Sequence, residues 1–126
     1  MKGVYAVFLE IKEKKNIEVG ALGEICFEKG IYVYIGSAMN SLESRVSRHF
    51  SEDKKLHWHI DYLTNESTPF AWIGLSVESD WECLLAETAA KSSEAVPVEN
   101  FGSSDCNCDS HLFKISENLE CEQKNF

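Results

Sequence analysis

Residues 31–50 read IYVYIGSAMNSLESRVSRHF and predict a strand that runs directly into a basic helix. The opening residues 31–35 are all β-branched or aromatic, which favours a strand. Gly36 and Ser37 follow as the corner, where a residue without a Cβ permits close approach of the backbone. From Ser41 to Phe50 the apolar residues recur at helical spacing. On one side of such a helix lie Met39, Leu42, Val46 and Phe50.

The segments before this unit predict two more strands. Gly3–Ile11 is rich in Val, Tyr, Phe and Ile and reads as the first strand. Ile17–Phe27 reads as the second strand, with a bulge or bend at Gly20 and Gly23. Because the connections are short, we expect the first three strands to form an antiparallel meander.

The segments after it predict a helix over Leu56–Leu63, a strand over Phe70–Val77 and a short C-terminal strand. Ser79-x-x-Glu82 matches a capping box that opens a further helix. The residues of this helix predicted to face the core are Trp81, Leu84, Leu85 and Thr88. The order of elements predicts an α+β fold, in which helices flank a small central antiparallel β-sheet. We expect one domain over residues 1–116 and a frayed tail over 117–126.

The composition predicts a globular, soluble, cytoplasmic protein. The chain has 126 residues, of which 44% are apolar and only 2 are proline, so it can bury one core but not two. No apolar run reaches the roughly 18 residues of a membrane helix, and no signal peptide is recognisable. An odd number of scattered cysteines favours reduced thiols over a disulfide framework.

Charge is distributed unevenly along the chain. The net charge of −9 opposes simple binding to nucleic acid. Residues 1–59 carry nine Lys or Arg and eight acids, a net of +1, whereas residues 60–126 carry three Lys and thirteen acids, a net of −10. We therefore expect any polyanion to bind the first part of the chain.

The predicted basic helix groups Arg45, Arg48 and His49 on one face. The chain has only these two arginines against ten lysines, and a planar guanidinium can grip phosphate with two parallel hydrogen bonds. A neutral imidazole at His49 could take up or hold a proton near pH 7. The alternatives are a solvated helix face with a surface ion pair, and a hydrogen-bonded surface histidine.

Four segments, taken together, resemble the GIY-YIG nuclease superfamily. They are Gly3-Val4-Tyr5 on the first strand, Tyr34-Ile35-Gly36 on the third, Arg45-x-x-x-His49 on the basic helix, and the ECLLAE run from Glu82 to Glu87. Residues 57–63 (HWHIDYL) and 101–112 (FGSSDCNCDSHL) resemble the compact Uri-type subgroup, so the likeness extends over nearly the whole chain.

The resemblance implies a metal-dependent endonuclease that hydrolyses phosphodiester bonds in DNA, in repair or on branched DNA. It implies catalytic roles for Tyr5, Tyr34, Arg45 and His49, with Tyr5 relaying a proton from the attacking water. A phenol is a poor base at pH 7 unless adjacent cations depress its pKa, which Arg45 or the metal could do. The predicted substrate-binding residues are Gly36, Ser37 and Arg48. Packing in the core is the alternative for a strand tyrosine.

For the metal, the resemblance leaves two carboxylates on one helix. Glu82 is explained by the capping box, whereas Glu87 has no local partner, so we predict Glu87 as the ligand. One carboxylate with waters and phosphate oxygens suits Mg²⁺ or Mn²⁺.

Two further groups of metal-ligating residues remain open. His57, His59 and Asp61 could hold zinc or join the site, but a packing helix with satisfied polar atoms is the commoner arrangement. In Cys106-x-Cys108-x-x-His111 the spacing departs from that of closed zinc sites, so buried reduced thiols are preferred over a structural zinc. Ser103 and Asp105 lie where the superfamily places a polar residue.

Three functions compete at this point. The first is the endonuclease, with DNA as its partner and a homodimer or protein partner possible. The second is a nucleic-acid-binding or repair accessory module without turnover, favoured by the acidic second half. The third is a structural or redox metal module around Cys106 and Cys108.

Overall fold

The structure, a computed structural model, describes residues 2–51, 54–56, 58–91, 95–102, 108 and 110–116. In chain order its elements are β1 (Gly3–Ile11), β2 (Lys15–Glu18), β3 (Glu24–Phe27), β4 (Gly30–Ala38), α1 (Leu42–Phe50), α2 (His59–Asn65), β5 (Thr68–Leu75), α3 (Asp80–Ala90), β6 (Val96–Pro97) and β7 (Leu112–Ser116). This mixture of a sheet and three helices confirms the predicted α+β class.

The main sheet has five antiparallel strands in the order β5-β1-β4-β7-β6. Strand β1 pairs with β4 along its whole length, from Gly3 opposite Ala38 to Ile11 opposite Gly30. Tyr5 therefore lies directly opposite Gly36. The two central strands carry the Gly-Val-Tyr and Tyr-Ile-Gly triplets side by side.

The predicted meander of the first three strands is wrong. The segment 17–27 is divided between β2 and β3, which form a separate two-stranded sheet with each other. A short 3-10 turn, Gly20–Leu22, joins them. Gly20 and Gly23 take positive φ values of 45° and 75°, which glycine adopts at little cost, so the chain reverses here.

Helices cover both faces of the main sheet. Tyr5 and Val7 project from one face of β1 and pack against Leu42 and Val46 of α1. Val4 projects from the opposite face, because side chains alternate along a strand, and it packs against Ala86 of α3. A larger cluster on the Tyr5 face joins the strand ends to α2 and to the β2–β3 hairpin.

Several core predictions on the helices are wrong. Of the four residues predicted to form one apolar side, Leu42 and Val46 are buried, whereas Met39 and Phe50 are exposed. On α3, Trp81 and Leu84 are 45% and 50% exposed. Ala86 is the fully buried residue of α3, and Leu85 packs in part against the same cluster as predicted, whereas Thr88 is exposed.

The remaining elements shift by a few residues from their predicted bounds. Helix α2 begins at His59 rather than at Leu56, and β5 spans Thr68–Leu75 rather than Phe70–Val77. The tail 117–126 lies outside the described residues. Within the described part of the chain, no helix has the length and apolar character that a membrane crossing requires.

Candidate active site

A cavity of about 230 Å³ opens where β1, β4, α1 and α3 meet. Five predicted site residues line it: Tyr5, Tyr34, Ser37, Arg45 and His49. Five residues that the sequence did not assign to the site also line it: Trp58, His59, Ile60, Glu82 and Gly102. Strand register accounts for the two tyrosines, since Tyr5 and Tyr34 both project from the face that α1 covers, and α1 itself carries Arg45 and His49.

Tyr5 and His49 form a buried hydrogen-bonded pair at this cavity. The distance from the Tyr5 hydroxyl to His49 Nε2 is 2.5 Å. His49 is 1% exposed, so it is not the surface histidine of the alternative interpretation. Burial lowers the pKa of His49 to about 4, against which the nearby Asp61 acts only in part. The imidazole is therefore neutral at pH 7, and Nε2 is suited to accept the phenolic proton.

The second ring nitrogen of His49 lies in an unfavourable environment. Nδ1 is buried and has no hydrogen-bond partner among the described residues. A polar atom left unpaired in the interior costs about 1–3 kcal/mol. Such exceptions are rare in folded proteins and cluster at functional sites.

Both tyrosines of the cavity have raised pKa values. Burial raises the pKa of Tyr5 and outweighs the opposing effect of the Arg45 charge and hydrogen bond. Burial also raises the pKa of Tyr34, helped by its neighbour Tyr5. The expectation that Arg45 depresses the pKa of Tyr5 below its ordinary value is wrong. Tyr5 can pass on a proton only if another base accepts its own, and His49 is in place to do so.

Gly36 does not line the cavity but lies beneath the ring of Tyr5. A Cβ at this position would stand 2.6 Å from both the Cζ and the hydroxyl oxygen of Tyr5, and 3.0 Å from Cε2 of Tyr34. Gly36 therefore permits a close approach, as predicted, but the group that approaches its backbone is the ring of Tyr5.

Gly36→Ala is expected to destabilise the fold by about 1–3 kcal/mol, because the added methyl group overpacks the contact with Tyr5. Urea unfolding of both proteins measures the loss. In a Tyr5→Ala background the same substitution should cost at least about 1 kcal/mol less. An equal cost in the two backgrounds would show that the clash with Tyr5 is not the cause.

The two arginines of α1 have different surroundings. Arg45 donates from Nη1 to the Ser37 carbonyl at 3.0 Å, and its guanidinium lies 4.2 Å from the centre of the Trp58 ring. Arg48 is 5.0 Å from the same ring and forms an ion pair of 2.8 Å with Asp61. Asp61 is fully buried. Arg45 is therefore held at the cavity wall, whereas Arg48 neutralises a buried carboxylate and does not line the cavity.

Glu82, and not Glu87, brings a carboxylate to the cavity. Its Oε2 lies 3.0 Å from Nδ1 of His111. Burial acts to raise the pKa of Glu82, but hydrogen bonds from His111 and Ser37 and the charge of Arg45 together lower it. The carboxylate is consequently ionised at pH 7. Among the described residues that line the cavity, it is the one acid.

The capping box predicted for Ser79 and Glu82 is wrong. Ser79 precedes α3, but its side chain makes no capping hydrogen bond. Glu87 lies one and a half turns further along the helix, is exposed to solvent and does not line the cavity. It needs no local partner, because water solvates it. The positions of the two glutamates along the chain do not show which of them faces the cavity. The orientation of α3 against the sheet determines it.

The structure shows the contacts of two of the three residues His57, His59 and Asp61, whose role the sequence leaves open. His59 lines the cavity, and its Nδ1 accepts a hydrogen bond of 2.9 Å from the backbone N–H of Gly102. Asp61 accepts from the backbone N–H of Trp58 at 2.8 Å and pairs with Arg48, so it has a structural role. His57 lies outside the described residues.

Of the predicted cysteine and histidine motif, Cys108 and His111 lie beside a third residue, Cys83 of α3. Their ligand atoms are within 4.8 Å of one another. Cys106, Ser103 and Asp105 lie outside the described residues. The sequence could not point to Cys83, because it is 25 residues from Cys108 and only the packing of α3 brings them together.

Acidification is expected to destabilise the protein through His49. Its pKa is about 4 in the folded protein and 6.5 ordinarily, so the unfolded chain binds the proton more readily between these values. This contribution is complete above pH 6.5 and is lost as the pH falls through 4, about 3 kcal/mol in all. Urea unfolding of wild type and His49→Gln at pH 7 and pH 4 measures it. A difference between the two proteins that does not change with pH would contradict the assignment.

The chain belongs to the family described as Domain of unknown function DUF123, whose model matches residues 4–125. Neither a curated protein nor a solved structure matches the chain at a significant level.

Proposed function

We propose that this protein is a metal-dependent endonuclease of the GIY-YIG kind, which hydrolyses phosphodiester bonds in DNA. The observation that carries the proposal is the meeting of Tyr5, Tyr34, Arg45, His49 and Glu82 at one cavity. They come from β1, β4, α1 and α3. Phosphodiester hydrolysis needs a base for water, a cation for the transition state and a group that positions the phosphate.

Arg45 positions the phosphate. The Ser37 carbonyl and the Trp58 ring hold its guanidinium from two sides, which fixes a long side chain before the substrate arrives. A pre-placed guanidinium can bind two phosphate oxygens and stabilise the charge that develops during attack.

Tyr5 and His49 remove the proton from the attacking water. The water transfers its proton to the Tyr5 oxygen while the phenolic proton moves to His49 Nε2, along the hydrogen bond of 2.5 Å. Tyr5 is neutral before and after this step, so its raised pKa is no obstacle. The charge ends on the imidazole, where the nearby Asp61 favours it.

Glu82 is the residue that would hold Mg²⁺ or Mn²⁺. It is ionised and faces a cavity with room for water and phosphate oxygens, which is the environment Mg²⁺ requires when a protein supplies one carboxylate. When bound, the cation neutralises negative charge on the phosphate in the transition state. His111 and Ser37 keep the carboxylate directed into the site.

A polyanion such as DNA fits the charge distribution around the cavity. Arg45, the cation on the cavity wall, comes from the first part of the chain, which has the net positive charge, and so do Arg48 and Lys54, whose charges act on His49. Of the acids in the second part of the chain, Glu82 alone lines the cavity among the described residues. Local charge, rather than the net charge of −9, governs contact with a phosphate at this site.

Cleavage assays test the proposal. Purified protein is incubated with branched, flapped and plain duplex DNA in Mg²⁺ or Mn²⁺, and we expect cleavage that EDTA or Arg45→Ala abolishes. Lys29→Ala, an exposed cation on the β3–β4 connection, is the control and should cleave normally. Salt-sensitive binding to DNA without cleavage of any substrate would overturn the nuclease and support the accessory module.

A further inference from the structure

Three metal-ligating side chains converge behind the candidate active site. Cys83 comes from α3, Cys108 from the segment before β7, and His111 from the residue next to β7. Their ligand atoms lie within 4.8 Å of one another. Two thiols and an imidazole are the ligands that Zn²⁺ prefers, whereas Mg²⁺ and Ca²⁺ prefer oxygen.

The separation of the ligand atoms is close to that of a zinc site. With bonds of ~2.1 Å to nitrogen and ~2.3 Å to sulfur, ligands of a tetrahedral zinc lie about 3.6–3.8 Å apart. The three atoms therefore need to approach by at most about 1 Å. Rotation of the cysteine side chains supplies a movement of this size without a change in the backbone.

The surroundings of His111 match those of a metal-bound histidine. The ring is fully buried, and its Nδ1 lies 3.1 Å from the Ile35 carbonyl and 3.0 Å from the carboxylate of Glu82. A histidine that binds zinc commonly donates its other N–H to a carboxylate or a backbone carbonyl. With its proton on Nδ1, His111 would coordinate through Nε2.

Helix α3 buries little apolar surface against the sheet. Ala86 is its one fully buried residue, Leu85 is only partly buried against the sheet, and the large side chains of Trp81 and Leu84 face outward. Burial of a methyl-sized side chain contributes little, since hydrophobic stabilisation scales with buried apolar area. Yet this helix carries Glu82, directly before Cys83, to the cavity wall.

We propose that Cys83, Cys108 and His111 bind one Zn²⁺, which joins α3 to the start of β7 and holds Glu82 at the candidate active site. The cation replaces the protons of two thiols, so binding leaves the charge of the protein unchanged. Zinc binding itself stands independently of DNA cleavage, because its residues and its readout differ from those of the nuclease, whereas the role in holding Glu82 rests on the proposed function.

Zinc binding by the full chain tests the proposal. Protein freed of metal with a chelator is titrated with Zn²⁺ alone, and we expect one equivalent to bind and to raise the melting temperature. Cys83→Ser and Cys108→Ser should each weaken binding by at least about 100-fold, more than the 10–100-fold that loss of an outer partner costs. Cys26→Ser is the control, because Cys26 is exposed on the separate hairpin. Circular dichroism establishes that each variant folds.

A second measurement needs no variant. Wild-type protein loaded with Co²⁺ should show thiolate-to-metal charge-transfer absorption and the spectrum of a tetrahedral site. Zinc binding that Cys83→Ser leaves unchanged, or a cobalt spectrum without thiolate absorption, would overturn the proposal. A disulfide between Cys83 and Cys108 in protein purified without oxidant would overturn it as well. Cleavage that stays intact when Cys83→Ser loses zinc would overturn the role of the metal in holding Glu82, and zinc binding by a protein that cleaves no DNA would overturn the nuclease alone.

Discussion

Glu82→Gln is expected to lower the rate of DNA cleavage by at least about 100-fold, whereas Glu87→Gln leaves it unchanged. The amide keeps the size of the side chain but removes the negative charge that would hold a divalent cation. Glu82 faces the cavity and has a lowered pKa, so its charge is available at neutral pH. Glu87, five residues along the same helix, points to solvent.

The rate is measured on one DNA substrate across a range of Mg²⁺ concentrations. If Glu82 binds the cation, part of the lost activity of Glu82→Gln should return at high Mg²⁺ or with Mn²⁺. The matched substitution of Glu87 controls for any general effect of removing a carboxylate from α3. Equal losses in the two variants would remove Glu82 from the mechanism, and a loss confined to Glu87→Gln would restore the assignment made from sequence.

Tyr5→Phe is expected to lower the cleavage rate by about 10²–10⁴-fold, which is the usual contribution of a proton-transfer group. The phenyl ring still fills the space above Gly36, so the core contact remains. What disappears is the hydroxyl that links the attacking water to His49 Nε2. The effect should fall on kcat rather than on KM, since the step that is lost comes after binding.

Tyr32→Phe is the matched control for this substitution. Tyr32 is also a buried tyrosine, and its hydroxyl donates to the Glu28 carbonyl at 2.7 Å, away from the cavity. Its removal should reduce stability by about 1 kcal/mol and leave cleavage unchanged.

In wild type, activity should fall as the pH approaches 4, because His49 must be neutral to accept the proton. Full activity in Tyr5→Phe would exclude the relay.

Much of the site was predictable because its residues lie on regular elements. The β-branched run around Tyr34 predicts a strand, and the spacing of Arg45 and His49 places them one turn apart on a helix. Both features are local, since they depend on the geometry of a strand or a helix and on no distant contact. Residues Tyr5, Tyr34, Arg45 and His49 were named from the chain and meet at one cavity.

The directions in which the pKa values of Tyr5 and His49 shift could not be predicted from the sequence in the same way. A tyrosine beside an arginine suggests a lowered pKa, but burial acts in the opposite direction and is the larger effect for Tyr5. The size of a desolvation effect depends on how many atoms from other segments surround the group. For His49, the same burial keeps the ring neutral, which suits it to accept a proton.

The sequence by itself determined the α+β class, the strand-to-helix unit of residues 31–50 and the identity of the residues on its polar face. Local periodicity and backbone preference suffice for these, because each is settled within about ten residues. Only the tertiary structure showed that Glu82 and not Glu87 lines the cavity, placed Gly36 beneath Tyr5 and brought Cys83 to Cys108 and His111. Each of these depends on how one element packs against another that is distant along the chain, and packing is fixed by the contacts of the whole core rather than by any one segment.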